Sequence, residues 1–248
     1  MRIGILETGN VSDALKARFG DYPSIFHALI QTRLPDAEFI DVSIVNGEKL
    51  GRPDDADGWL ITGSRHGVYE DLDWINALKA FVRDCVAQNV PLVGICFGHQ
   101  LIAEAMGGKV EKSERGWGLG VHEYQTHNLP GWMADLKSSF KGYAVHQDQI
   151  VTPPSSAQII ASSEFCPYAA MVYGNPDAPD AITVQSHPEM TAEFVQGLID
   201  TRLNAIVPAE RVALAEAGLV QQVQNDIWTA LIARFLEAAS KRRASAAA

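Results

Sequence analysis

The segment Gly94-Ile95-Cys96-Phe97-Gly98-His99-Gln100 has the form glycine–x–nucleophile–x–glycine. It closes the apolar run of residues 91–96 and opens a helical pattern, so it predicts a nucleophile elbow at a strand-to-helix corner. A turn this sharp leaves no room for a β-carbon beside the nucleophile, and glycine meets that need. The turn pushes the thiol out at the top of a sheet, and the positive end of the following helix favours its thiolate. The N–H of Phe97 is then free to face a developing oxyanion. A thiol nucleophile also needs a base. The segment Gln185-Ser186-His187-Pro188-Glu189 follows the apolar run 181–184 and precedes another helical pattern. Histidine suits proton transfer near neutral pH. Glu189, two residues on, can curl back to orient the ring, and Pro188 stiffens the link. With this composition, chance gives G-x-C-x-G, or H-P-E, in roughly one such sequence in fifty; both together fall near one in a few thousand.

The elements around these motifs alternate in type. Residues 1–6, 38–45, 58–62 and 91–96 read as strands. Residues 22–33 read as a helix with Ile25, Phe26, Leu29 and Ile30 on one side. Asp73 is placed to cap a helix whose stripe is Trp74, Leu78, Phe81, Val82 and Cys85. Residues 97–106 form the helix after the elbow, ended by Gly107-Gly108. Short β-like runs follow at 109–111, 118–124, 142–145, 158–162, 169–173 and 181–185. Helices close the chain at 191–203 (capped by Thr191), 208–218 and 224–243, the last with Ile227, Leu231, Phe235 and Leu236 on one face. This predicts an α/β fold of three layers: a mostly parallel central sheet flanked by helices, a smaller antiparallel region, and C-terminal accessory helices. Residues 1–203 are expected to form the domain and 204–248 a helical extension packed on it.

Of 248 residues, 47% are hydrophobic and 20% charged, which suits a packed core and excludes a mainly disordered chain. The net charge of −10 argues against nucleic acid as the main partner. The one basic cluster, Lys241-Arg242-Arg243, reads as a solvated helix end in a frayed-looking tail that finishes with residues 244–248. No apolar run spans a membrane, and the N-terminal apolar stretch is too short for a signal peptide, so a cytoplasmic protein is expected. Cys85, Cys96 and Cys166 form no C-x-x-C, so neither a disulfide framework nor a zinc ribbon is indicated. Cys85 and Cys166 read as packed core residues. His122 and His127 lack metal-ligand spacing, and His27 reads as half-buried surface. There is no Walker or dinucleotide fingerprint. No metal or cofactor is expected.

Together the elbow with Gly98-His99-Gln100 and the distant His187-Pro188-Glu189 resemble the class I, triad-type glutamine amidotransferases over roughly residues 40–200. The resemblance implies a flavodoxin-like fold and a glutamyl thioester on the cysteine. By position it implies Cys96 as nucleophile, His187 as base and acid, Glu189 as orienting carboxylate, and Gln100 as a contact to the substrate. It also implies an oxyanion hole from the N–H groups of Phe97 and Gly63, although Thr62-Gly63-Ser64-Arg65-His66-Gly67 departs from the family's Gly-Gly-Pro type. Substrate contacts at Val145 and His146 follow from the segment 143–148. His146 reads equally as a loop residue bonding its own backbone. The runs 7–9 and 20–26 resemble a subgroup of stand-alone GMP synthase-like amidotransferases and γ-glutamyl peptidases. Gly9 there is either a turn residue or the rim of the active-site mouth.

The substrate implied is glutamine or a γ-glutamyl small molecule. A domain of about 200 residues plus two or three helices is expected to leave no room for an ATP-using synthetase, so three roles stand. One is a glutaminase that passes ammonia to a separate synthetase chain. Another is a self-contained γ-glutamyl peptidase or hydrolase. The third is a non-catalytic DJ-1-like binding protein, against which the intact His187-Pro188-Glu189 weighs.

Overall fold

The computed structural model describes residues 1–246. Ala247 and Ala248, at the end of the tail, lie outside the described residues. The strands are β1 (Arg2–Glu7), β2 (Glu38–Ser43), β3 (Gly58–Ile61), β4 (Leu92–Ile95), β5 (Lys109–Lys112), β6 (Gly118–Thr126), β7 (Ser139–His146), β8 (Asp148–Thr152), β9 (Ala157–Ser162), β10 (Ala170–Asn175) and β11 (Ala178–Val184). The helices are α1 (Asp13–Phe19), α2 (Tyr22–Gln31), α3 (Asp73–Ala87), α4 (Phe97–Ala105), α5 (Ala192–Thr201), α6 (Ala209–Gly218) and α7 (Asn225–Ala246).

One sheet of nine strands runs β2-β1-β3-β4-β11-β10-β9-β6-β7. From β2 to β11 every pairing is parallel; beyond β11 the sheet continues antiparallel. β1, β3 and β4 are buried on both faces along nearly their whole length, which is why they read as apolar runs, whereas the edge strand β2 is only partly buried. Neighbouring residues point to opposite layers. Leu60, Val93 and Ile95 pack with Phe26 and Ile30 of α2 and with α7. Trp59, Ile61 and Leu92 pack with α3 and α4.

Helix α7 forms much of one layer. Trp228, Leu231, Ile232, Phe235 and Leu236 are buried against the sheet, and Ile227 is partly buried. The basic cluster lies on the exposed end of α7, as expected, but the helix there is tied down and not frayed. Arg243 Nη1 donates to the Asp57 carbonyl at 3.2 Å, Arg242 Nη2 to that of Pro179 at 3.3 Å, and Lys241 pairs with Glu237. Thr191 caps α5 by accepting from the Phe194 N–H, as its position suggested. Asp73 does not cap α3. Leu72 holds that place and Asp73 is the first helical residue, where its charge still meets the positive helix end. Ile75 completes the buried stripe of α3, with Trp74 only partly buried. His27 is half-buried, stacked on Phe39 and bonded to Asp41 at 2.7 Å.

Candidate active site

Three neighbouring strands end at one place. β4 lies between β3 and β11, with Gly94 beside Ile61 and Ile95 beside Val184. The loops just beyond these ends carry Gly63, Cys96 and His187. This is the crevice at the carboxyl ends of parallel strands, where open α/β sheets bind ligands.

Cys96 sits at φ +52°, ψ −101°, a strained conformation for a residue with a side chain. Its N–H donates to the Val184 carbonyl at 2.9 Å, and its own carbonyl accepts from the Gln100 N–H at 3.1 Å. The elbow glycines are sterically required. A β-carbon on Gly94 would stand 2.6 Å from the Gly98 backbone, and one on Gly98 would stand 2.4 Å from the Ile61 carbonyl oxygen. The first helical bond of α4 comes from Gln100, so the N–H groups of Phe97, Gly98 and His99 have no acceptor within the helix.

His187 is fixed from both ends. Its N–H donates to the Tyr143 carbonyl at 2.9 Å, and its Nδ1 donates to Glu189 Oε1 at 2.6 Å. Both side chains of this pair are buried, at 4% and 1% exposure. Nε2 of His187 has no hydrogen-bond partner among the described residues. A β-carbon on Gly63 would lie 3.0 Å from His187 Cε1 and 3.8 Å from Cys96 Cβ, so ring, thiol-bearing carbon and Gly63 backbone meet at one point. Burial opposes the charged imidazolium, but Glu189 and then Cys96 favour it more, and the pKa of His187 is raised well above its ordinary value. The other two thiols are set apart. Cys85 is buried in α3 and Cys166 in a loop, and burial pushes each up to about 12.

The Gly63 loop is held by Thr8. Its Oγ1 donates to the Thr62 carbonyl at 2.9 Å or the Gly63 carbonyl at 3.1 Å, and its N–H donates to Thr62 Oγ1 at 3.0 Å. Gly9 lines the cavity, and a β-carbon there would come within 2.8 Å of the Gly63 carbonyl oxygen. From the other side, Asn225 of α7 donates to the Met190 carbonyl at 2.8 Å and so braces the His187 loop.

A cavity of about 220 Å³ opens over the thiol. Of the expected residues, Cys96, His187, Gly63, Gln100, Val145 and His146 line it; Phe97 and Glu189 stand behind it. The Gln100 amide protons are spent on the Asp148 carbonyl at 2.8 Å and Gln185 Oε1 at 2.9 Å, which leaves Oε1 of Gln100 for a ligand. His146 fits both of its alternatives, since it lines the cavity while Nδ1 donates to the Asp148 carbonyl at 3.1 Å. Burial lowers its pKa to about 3, so it is neutral. His99 is a structural staple: Nε2 donates to the Tyr168 carbonyl and Nδ1 accepts from Thr183 Oγ1.

Sequence reasoning did not single out Tyr22, Tyr69, Glu70, Arg65 or Arg202, which also line the cavity. Tyr69 and Glu70 sit on the long loop between β3 and α3, whose charged and aromatic content was the available signal. Arg202, at the end of α5, lies in no motif.

The family model described as glutamine amidotransferase class-I matches residues 25–196. The chain belongs to the class I glutamine amidotransferase family. It is thus a member of an enzyme family with the mixed, helix-flanked sheet seen here. The chain is 27% identical over 237 residues to γ-glutamyl peptidase 3 of Arabidopsis thaliana, covering 91% of this chain and 92% of that one. It is 32% identical over 149 residues to a glutamine-hydrolyzing GMP synthase subunit of Sulfolobus acidocaldarius, covering 60% of this chain and 76% of that one. A crystal structure of a Thermotoga maritima glutamine amidotransferase superposes with a TM-score of 0.73 at 19% identity, over 96% of this chain and 98% of that one, a likeness of fold. Among the described residues no helix is long and apolar enough to cross a membrane.

Proposed function

We propose that this protein hydrolyses γ-glutamyl C–N bonds through a cysteine thioester, with Cys96, His187 and Glu189 as the triad. The observation that carries the reading is the buried imidazole. Nδ1 is spent on Glu189 at 2.6 Å, and the unpartnered Nε2 belongs to a ring that meets the Cys96 side chain beside Gly63. In the first step Nε2 takes the thiol proton and Sγ attacks the γ-carbonyl carbon. The oxyanion accepts from the N–H groups of Phe97 and Gly63. The C–N bond breaks as Nε2 returns the proton to the leaving amine. Water, deprotonated by His187, then attacks the thioester, releasing glutamate and restoring the thiol. Gln100 Oε1, the β7 end at Val145 and His146, and the Asp148 carboxylate supply polar contacts for the glutamyl part.

Two leaving groups fit this chemistry. The peptidase relatives match over nine-tenths of both chains, which favours an amine from a γ-glutamyl peptide, with no second chain needed. The shorter match to a GMP synthase component favours ammonia from glutamine, passed to a synthetase partner. Purified protein assayed with glutamine and with γ-glutamylglycine separates them. Turnover of the dipeptide alone supports the hydrolase. Turnover that needs a co-purifying chain supports the synthetase component. Treatment with a glutamine-like electrophile should add the reagent's mass to the peptide holding Cys96; an adduct on Cys85 or Cys166 with loss of activity refutes the triad.

A further inference from the structure

Charged groups lining the cavity fall into two electrostatically linked sets. Asp148 and Glu70 lie together near Tyr69 and Lys112, within electrostatic reach of one another. Arg65 and Arg202 form a second group with Tyr22: Arg65 disfavours and Tyr22 favours the charge on Arg202, and Tyr22 in turn feels Cys96 and Glu189. Among the described residues neither guanidinium has a hydrogen-bond or ion-pair partner. Both arginines are exposed at the cavity lining, and Arg202 is held below its ordinary value by partial desolvation first and by the charge of Arg65 second. Such a pair fits a structure that awaits an anion.

Chain connectivity links Arg202 to the segment of the general acid. From His187 the backbone passes through Met190 into α5, and the end of that helix carries Leu198, Arg202 and Leu203. The wall bearing Arg202 is thus built by the segment that carries the general acid, and the leaving amine takes its proton from that acid. In the reading above, Gln100, Val145 and Asp148 contact the acyl part, and all three line the same cavity.

We infer that Arg65 and Arg202 form a carboxylate-binding subsite on the leaving-group side, selecting γ-glutamyl donors whose leaving amine is an amino acid or peptide with a free carboxylate. Guanidinium pairs carboxylate in a two-pronged, charge-assisted bond. Ammonia would make no use of the pair. The inference rests on the γ-glutamyl reading above and sharpens it to a substrate class.

The test compares γ-glutamylglycine with γ-glutamylglycinamide, which differ only in that carboxylate. The wild-type protein should favour the acid in kcat/KM by roughly ten- to a hundredfold, and added salt should shrink the ratio. Arg65→Gln and Arg202→Gln should each lower the ratio, and the double variant should bring it close to one, with the loss chiefly in KM for the acid. Equal losses on both substrates would mean that the arginines hold the glutamyl part or the fold, and would overturn the subsite. Wild-type cleavage without preference overturns the subsite alone. Cleavage of neither dipeptide overturns the parent reading and the subsite together.

Discussion

Replacing Gly98 by alanine tests whether the elbow is pressed against β3 as described. The added methyl would stand 2.4 Å from the Ile61 carbonyl oxygen and 2.9 Å from Ile61 Cβ. Ordinary contact starts at 3.4 Å, so 1.0 Å (3.4 − 2.4) must be found by moving α4 or β3. Both are backbone inside a packed layer, so no flexible side chain can yield. Alanine gains up to about 1 kcal/mol over glycine within a helix, and less in a first turn. Overpacking a core costs about 1–3 kcal/mol, so the clash wins. A net loss of about 1–2 kcal/mol lowers Tm by several degrees, at about 2–4 °C per kcal/mol for this size. A shift of about 1 Å between Cys96 and His187 should also cost roughly a hundredfold in turnover. Calorimetry gives the first quantity and γ-glutamylglycine hydrolysis the second. Gly131→Ala is the control, because nothing lies within 4 Å of its β-carbon. If Gly98→Ala melts and turns over like Gly131→Ala, the packed elbow is wrong.

Glu189→Gln keeps the shape of the orienting group and removes its charge. Turnover should fall roughly ten- to a hundredfold, the worth of a charge-assisted bond. The His187 titration followed by NMR should move down, because the largest influence raising it is gone and burial remains; an unmoved midpoint would contradict the pair. Cys85→Ser should lose about 1–3 kcal/mol by burying a hydroxyl while the folded enzyme keeps its turnover; an inactive but folded variant would mean the wrong thiol was chosen. His99 and His146 are held at about 4 and about 3 by burial. Both folded values lie below the ordinary 6.5, so the native state binds fewer protons than the unfolded chain. Their contribution is full above about 6.5 and is lost as pH falls from there toward about 3–4. His99→Gln should therefore flatten the fall in Tm between about pH 7 and pH 4, and a slope as steep as the wild type's would refute that account.

Much of this was written locally. Gly94 and Gly98 declare a turn that admits no β-carbon, and both glycines abut backbone in the fold. The unbroken apolar runs declare strands buried on both faces, and Thr191 declares a helix start. Other features had weaker local signals. α1 and β8 were not foreseen: α1 is short, with a single buried residue, Leu15, and β8 pairs only with four-residue β5 in a separate ribbon. The side-chain bonds that tie Arg242 to β11 and Arg243 to the residue before β3 are long-range, so the tail looked free.

The residue types proposed for thiol chemistry are written in the chain's own order, as is the corner that carries Cys96. What only the tertiary structure decided is adjacency. Cys96 and His187 are 91 positions apart (187 − 96), and no local pattern reports that β4 lies between β3 and β11 in the register that aligns their ends. That order follows from burying every apolar strand between two helical layers at once, α7 included. The same global packing brings Arg65 and Arg202 to the lining of one cavity, two residues whose neighbours in sequence give no hint of each other. Periodicity records which face a residue turns inward; it does not record which distant face it meets there.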